Sequence, residues 1–217
     1  GYSPKEAVKE AKRCIQCADP KCMEGCPVQV DIPAFIKLIA EEKFAEAAEK
    51  IKEKNNLPAI CGRVCPQEDQ CELKCVLEAT GEPIAIGRLE RFAAEYAAEE
   101  VTKPKQDKGR VAVIGAGPAG LTAAADLAKM GYQVTVFESF HEPGGVLTYG
   151  IPEFRLPKEV VQAEIDQIKQ LGVDIKLNKV VGKIKSVDEL LEDGHQAIFV
   201  GTGAGLPKFL GLEGENL

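Results

Sequence analysis

Eight cysteines stand in two runs, Cys14, Cys17, Cys22 and Cys26, then Cys61, Cys65, Cys71 and Cys75, and none follows in a chain of 217 residues. Thiols crowded in this way end up paired with one another or gathered around a soft metal. With 45% hydrophobic residues, the chain can bury one large core or two small ones without covalent staples. Disulfide frameworks belong to secreted chains, whereas this one shows no positive-then-apolar leader, and its cysteine-free part reads as a nucleotide-binding domain. Ligation is therefore the expected role. Gly1 in place of an initiating Met reads as the mark of a trimmed or partial chain.

The spacing narrows the metal. Cys14-x2-Cys17-x4-Cys22-x3-Cys26-Pro27 is close to the bacterial ferredoxin run C-x2-C-x2-C-x3-C-P, whose last cysteine serves a second cluster. Cys61-x3-Cys65-Pro66-x4-Cys71-x3-Cys75 looks like its partner run. Zinc is the competing metal, but paired zinc ribbons use C-x2-C knuckles in both halves, and the second run has none. The pairs Cys22/Cys26, Cys61/Cys65 and Cys71/Cys75 have i, i+4 spacing, which predicts that each shares a helix face. Two cubane clusters need eight ligands, so the simple count uses every cysteine.

Around these runs the pattern is helical. Residues 31–56 read as one helix, with Asp31 as cap, Pro33 in the first turn and Ile32, Phe35, Ile36, Ile39 and Ala40 at helical spacing. A second helix is predicted over about 83–100, with Ile86, Leu89, Phe92, Ala93 and Tyr96 on one face. Residues 1–100 form an all-helical unit in this reading, and the acidic pair Glu99 and Glu100 is its solvated end. The polar stretch 101–109, broken by Pro104, reads as a linker or exposed crossover.

From residue 110 the period changes. "RVAVIG", "GLTAAADLAKMG" and "YQVTVFE" read as strand, helix and strand. A helix near 157–171, a strand at "VDIKLN", a short helix at "SVDELLED" and a strand at "AIFVGTG" continue the alternation, which predicts a parallel sheet over 110–217.

Within "VIGAGPAG", Gly115, Gly117 and Gly120 have the dinucleotide spacing, with Pro118 and Ala119 between them opening the helix. Gly115 makes the tight turn, Gly117 admits a pyrophosphate and Gly120 lets the helix pack on the sheet. Glu138, ending the next strand, can accept from ribose hydroxyls and would repel a 2′-phosphate, so FAD or NAD is expected there and NADP is not. Clusters pass single electrons while a nicotinamide exchanges a hydride, and a flavin does both, so FAD is the more economical ligand. His141 and His195 read as surface residues near turns. A net charge of −7 with dispersed lysines gives no nucleic-acid footprint. The longest uncharged stretch, Val111 to Ala125, is too short and too rich in Gly and Pro for a membrane span.

"CIQCADPKCMEGCPVQVDIP", "CGRVCPQEDQCELKC", "VAVIGAGPAGL", "GGVLTYGIPEFRLPKEVV" and "AIFVGTGAG" together resemble the small (β) subunit of bacterial glutamate synthase. They are equally similar to the large subunit of the electron-bifurcating NADH-dependent ferredoxin:NADP oxidoreductase, or sulfide dehydrogenase. More distantly they resemble the cluster-and-flavin half of dihydropyrimidine dehydrogenase. The resemblance implies an α plus α/β protein, in which an N-terminal all-helical iron–sulfur domain is followed by a Rossmann-like FAD-binding domain. It implies an outer [4Fe-4S] cluster on Cys14, Cys17, Cys22 and Cys75, and one nearer the flavin on Cys26, Cys65, Cys71 and Glu90, with Cys61 a non-ligating thiol. It further implies FAD contacts at Gly145, Leu147 and Arg155, at Val181 by the adenine, and at Thr202 and Gly203 by the pyrophosphate.

The family's NADP(H) fold comes after a segment like "GLEGENL", where this sequence stops, so that site and the close of the FAD domain are expected in further sequence. The implied partner is a second redox subunit, either a glutamate synthase large subunit or a flavin/[2Fe-2S] subunit, with ferredoxin as a further electron partner. The expected location is the cytoplasm. Two rival readings are a flavin-free electron-transfer module and a zinc-stabilised interaction domain fused to a nucleotide sensor.

Overall fold

A computed structural model describes residues 1–97, 101–205 and 210–215 of the chain. The first helix, α1 (Pro4–Ala11), starts at a capping box: Ser3 Oγ accepts the Glu6 N–H while the Glu6 carboxylate accepts the Ser3 N–H. A loop carrying Cys14 and Cys17 leads to the short α2 (Lys21–Gly25). Next come α3 (Ile32–Ala40), α4 (Phe44–Lys52), α5 (Pro58–Val64) and, after consecutive turns through Cys71 and Cys75, α6 (Ile86–Ala94).

The single helix expected over 31–56 is therefore two. The chain breaks at Glu41–Lys43, with Glu42 in the left-handed region (φ 61°). A continuous helix would carry the apolar stripe of its second half away from the core. Folding back lets Ile32, Phe35, Ile36 and Ile39 of α3 share one buried cluster with Ala47 and Ile51 of α4 and with Ile86, Leu89, Phe92 and Ala93 of α6. The helix expected over 83–100 ends at Ala94, followed by a turn through residue 97; Glu99 and Glu100 lie outside the described residues. Tyr96 stacks on Phe44 and Phe92 at centroid separations of 4.9 and 5.0 Å.

The second half is the expected α/β alternation. Strand β1 (Arg110–Ile114), helix α7 (Pro118–Lys129) and strand β2 (Gln133–Phe137) form the βαβ unit. They are followed by α8 (Val146–Tyr149), α9 (Lys158–Gln170), β3 (Asp174–Lys176), α10 (Val187–Glu192) and β4 (Ala197–Val200). The described strands make one parallel sheet in the order β3-β2-β1-β4. Residues of β1 alternate between its two faces: Val113 joins the core under α7 and α9, while Ala112 and Ile114 pack with Leu190 of α10. Because the order reverses between β1 and β4, the carboxyl ends of those two strands frame the crevice where such sheets bind ligands.

The two halves share α5. Its Leu57, Ile60 and Val64 belong to the α/β core, although the sequence reading placed them in the helical unit. Two polar contacts hold the junction: the Ala59 N–H donates to Glu164 Oε1 of α9 at 2.7 Å, and Asn56 Nδ2 donates to Asp126 of α7 at 2.6 Å. Residues 101–109 lie tethered against the sheet edge: Val101 N–H donates to Gln170 Oε1 (2.9 Å) and Lys108 N–H to the Gly131 carbonyl (3.1 Å). Among the described residues no helix is long and apolar enough to cross a membrane.

Candidate functional site

All eight cysteines are free thiols. Cys14, Cys17, Cys22 and Cys75 line one cavity of about 30 Å³, with Ile32, Ile36, Ile84 and Ile86 as apolar walls. Burial, and then the neighbouring cysteines Cys14, Cys75 and Cys17, pushes the Cys22 thiol up to about 11; burial likewise raises Cys14. Such a pocket opposes the thiolate forms of Cys14 and Cys22 unless a cationic centre compensates them. The Gln16 side-chain amide, at a left-handed turn (φ 53°), also points at Cys14 Sγ from 3.5 Å.

Cys61, Cys65 and Cys71 gather around Glu90, with Cys26 beside Cys71. Cys71 is pushed up to about 12, first by burial and then by the charges of Glu72, Glu90 and Cys26. The neighbouring Cys61 lowers the Cys65 thiol to about 7, while Cys65, then burial and the Glu90 charge, raise Cys61. Burial, with Cys65 and Glu164 adding to it, pushes Glu90 up to about 8, against a lowering hydrogen bond from Asn55. Gly62 makes this meeting possible: a Cβ there would stand 2.5 Å from the Arg91 backbone nitrogen, so its absence lets α5 lie directly on α6 beside Glu90.

The i, i+4 expectation for the cysteine pairs fails, for a reason written in the sequence. Only Cys22 and Cys61 are inside helices; Cys26 and Cys65 are the residues at which α2 and α5 end, with extended ψ of 119° and 141°. Each precedes a proline, Pro27 or Pro66, whose ring excludes the helical conformation from the preceding residue. Cys71 sits in a turn, and Cys75 stands between that turn and the next. As a result Cys22 and Cys75 face the first cavity while Cys26 lies by Cys71, which is near Glu90, so each group draws on both runs. Among the described residues no three of His, Cys, Asp and Glu stand close enough together to hold one metal ion.

The second site is at the carboxyl ends of β1, β2 and β4. Gly115 has φ +99°, and a Cβ on it would stand 2.3 Å from the Gly201 carbonyl oxygen, which places the turn after β4 against the turn after β1. A Cβ on Gly120 would meet the Gly115 oxygen at 1.9 Å, so α7 packs against its own turn only through glycine. At Gly117 a Cβ would point into open space, the room a phosphate would take. The first turn of α7, with Pro118 and Ala119 exposed, has no side-chain cap, leaving its N–H groups for an anion.

Glu138 does more than the sequence suggested. Buried at 4% exposure, its carboxylate accepts the Ala116 N–H (2.7 Å), the Phe140 N–H (2.9 Å) and the Ser139 hydroxyl (3.1 Å), bracing the glycine turn itself. Gly144 donates its N–H to the Ala116 carbonyl (2.7 Å), and Gly145, with φ 54°, lies against Gly117. Thus Gly115, Gly117, Gly120, Glu138, Gly145 and Thr202 converge. Leu147 is buried in the core beneath this loop, and Arg155, Thr202 and Gly203 are exposed. Val181 packs beside Phe137 and Ile198 on the α10 side. His141 is exposed as expected, next to Tyr149, but His195 is not a surface residue: it is 5% exposed, its Nδ1 held 2.9 Å from the Leu190 carbonyl, because the chain turns inward there to enter β4.

Sequence reasoning missed Asn55, Gly62 and Glu164. Their signal was weak: an Asn pair before a proline-started helix, a glycine between two cysteines, and one more glutamate on an amphipathic helix.

Residues 1–102 match the family model for dihydropyrimidine dehydrogenase domain II, 4Fe-4S cluster, and residues 113–162 match that for an NAD(P)-binding Rossmann-like domain. The NAD-dependent dihydropyrimidine dehydrogenase subunit PreT of Escherichia coli (strain K12) is 43% identical over 210 residues, covering 94% of this chain and 51% of the relative. The glutamate synthase [NADPH] small chain of the same organism is 40% identical over 220 residues, covering 99% and 46%. That of Azospirillum brasilense is 40% identical over 208 residues, covering 93% and 43%. The chain spans about half the length of the curated relatives it matches.

Proposed function

We infer, from homology to the glutamate synthase small chains and the PreT subunits and from the match of residues 1–102 to the 4Fe-4S domain family of dihydropyrimidine dehydrogenase domain II, that the chain is an oxidoreductase subunit. From that premise we propose that it is the flavin and iron–sulfur part of an NAD(P)H-dependent oxidoreductase subunit, carrying two [4Fe-4S] clusters and FAD and delivering electrons to a second redox subunit. The observation that carries this reading is the crossing of the two cysteine runs into two separate groups. The donor sets fit: four thiols line one apolar cavity, and Cys61, Cys65 and Cys71 stand by Glu90 with Cys26 beside Cys71, each group spread more widely than the coordination sphere of a single ion.

Cys14, Cys17, Cys22 and Cys75 would hold the outer cluster, and Cys26, Cys65, Cys71 and Glu90 the inner one. The turn at Gly115, Gly117 and Gly120 would seat the FAD pyrophosphate on the α7 amides, with Gly145, Thr202 and Gly203 closing round it and the free lone pairs of Glu138 facing the ribose. Arg155 would offset negative charge on the flavin. When bound, FAD exchanges two electrons with a nicotinamide and one at a time with clusters. Helix α5 fixes the spacing between the two sites, because its apolar face is in the α/β core while Cys61 and the adjoining Cys65 are beside Glu90.

The test is acid extraction of protein purified anaerobically, with the released flavin identified chromatographically. FAD at about one per chain supports the reading; iron without flavin would make the chain a simple electron relay.

A further inference from the structure

We infer that Asn55 is the positioning residue that makes Glu90, and not Cys61, the fourth ligand of the inner cluster. The inference rests on the two-cluster reading above.

Asn55 lies between α4 and α5, at 7% exposure, and every polar atom of its amide is committed. Its Oδ1 accepts the Leu57 N–H two residues on, at 2.9 Å, an Asx turn that fixes which end of the amide is oxygen. The nitrogen end is thereby turned to α6, where Nδ2 donates to Glu90 Oε1 at 2.8 Å. Among the described residues nothing donates to Glu90 Oε2, so one carboxylate oxygen is held and the other is free to bind iron. The same Oδ1 accepts the Cys61 S–H at 3.6 Å, turning that sulfur toward Asn55. One side chain thus holds the carboxylate in place and engages the competing sulfur as well.

The competition arises because Cys61 is one helical turn before Cys65, whose N–H donates to the Cys61 carbonyl at 3.1 Å. Iron in a sulfide cluster favours a soft thiolate over a hard carboxylate, so geometry must overrule intrinsic preference at this position. Without the amide, Cys61 can replace Glu90: the Fe–O bond breaks, an Fe–S bond forms, and the Cys61 proton passes to the released carboxylate. No electron moves in that exchange.

The test compares the dithionite-reduced EPR spectrum and the iron content of the full chain, purified anaerobically, in wild type, Asn55→Leu, Cys61→Ala and the double variant. Asn55→Leu should keep its iron but shift the inner-cluster signal. Cys61→Ala alone should leave both readouts as in wild type. Adding Cys61→Ala to Asn55→Leu should abolish the shifted signal, either restoring the wild-type one or losing about half of the iron, one cubane of two. Asn55→Asp is the second route if Asn55→Leu fails to fold, since it keeps the acceptor for Leu57 and sets a like charge against Glu90; it should give the same Cys61-dependent shift. An unshifted signal in both Asn55 variants, or a shift indifferent to Cys61, overturns the proposal. A different failure marks the underlying reading: if Glu90→Ala is silent and Cys61→Ala loses half the iron, Glu90 was never the ligand.

Discussion

Glu164 separates the energetics of the junction between the two halves of the chain from the chemistry at its sites. It projects from α9 at 4% exposure, accepts the Ala59 N–H at 2.7 Å through Oε1, and leaves Oε2 buried with no partner among the described residues. Ala59 is in the first turn of α5, so its N–H has no acceptor inside the helix. Glu164→Ala strands that buried donor, at a cost of about 1–3 kcal/mol. For a chain of this size each kcal/mol is worth roughly 2–4 °C, so the expected fall in melting temperature is about 2–12 °C. Glu164→Gln keeps an acceptor oxygen for Ala59 and removes the buried charge, so it should melt near wild type at pH 7.5.

The pH dependence separates these effects further. Burial raises the Glu164 carboxyl above its ordinary 4.5, against smaller lowering effects of the Ala59 N–H, Lys52 and Arg63. The folded state therefore favours the proton, and the stability due to it is fully present below the unfolded value and lost as pH rises through the folded one. Wild type should gain on Glu164→Gln as pH is lowered from 7.5 toward 5. Circular dichroism melts of the three proteins at both pH values decide the matter. A Glu164→Ala protein within 1 °C of wild type, or a Glu164→Gln protein as damaged as Glu164→Ala at pH 7.5, would refute the reasoning.

Other substitutions probe the sites themselves. Gly62→Ala puts a methyl 2.5 Å from the Arg91 nitrogen, so α5 must lift from α6; about 1–3 kcal/mol of stability and the inner-cluster EPR signal should be lost while the outer signal persists. Gly117→Ala and Gly120→Ala should part company: the first enters open space, leaving the melting temperature unchanged but lowering flavin content, whereas the second meets the Gly115 oxygen at 1.9 Å and should destabilise the fold as well. Glu138→Arg should lower both flavin retention and melting temperature, because it removes the acceptor of the Ala116 N–H as well as a ribose partner; unchanged flavin content would count against this cleft.

The α/β half was legible because each signal was local. The strand-turn-helix at "VIGAGPAG" and the acidic residue ending the next strand are read within one βαβ unit, and Ser186 capping α10 lies directly before its apolar pattern. The helical half was less so. Nothing in the periodicity of 31–56 says that the chain doubles back at Glu42, since the reason is the position of α6, more than forty residues later. Likewise, spacing alone pairs Cys22 with Cys26, and only the pre-proline conformation sends them to different groups; that rule was available in "CP" but competed with helical spacing. Asn55, Glu164 and His195 were invisible because burial turns an ordinary polar residue into a structural one, and burial is a property of the packed whole.

The most direct measurement of the central claim is the iron and acid-labile sulfide content of the anaerobically purified chain. Two cubanes predict about eight irons and eight sulfides per chain. Stoichiometric zinc with no labile sulfide, or about four irons, would contradict it.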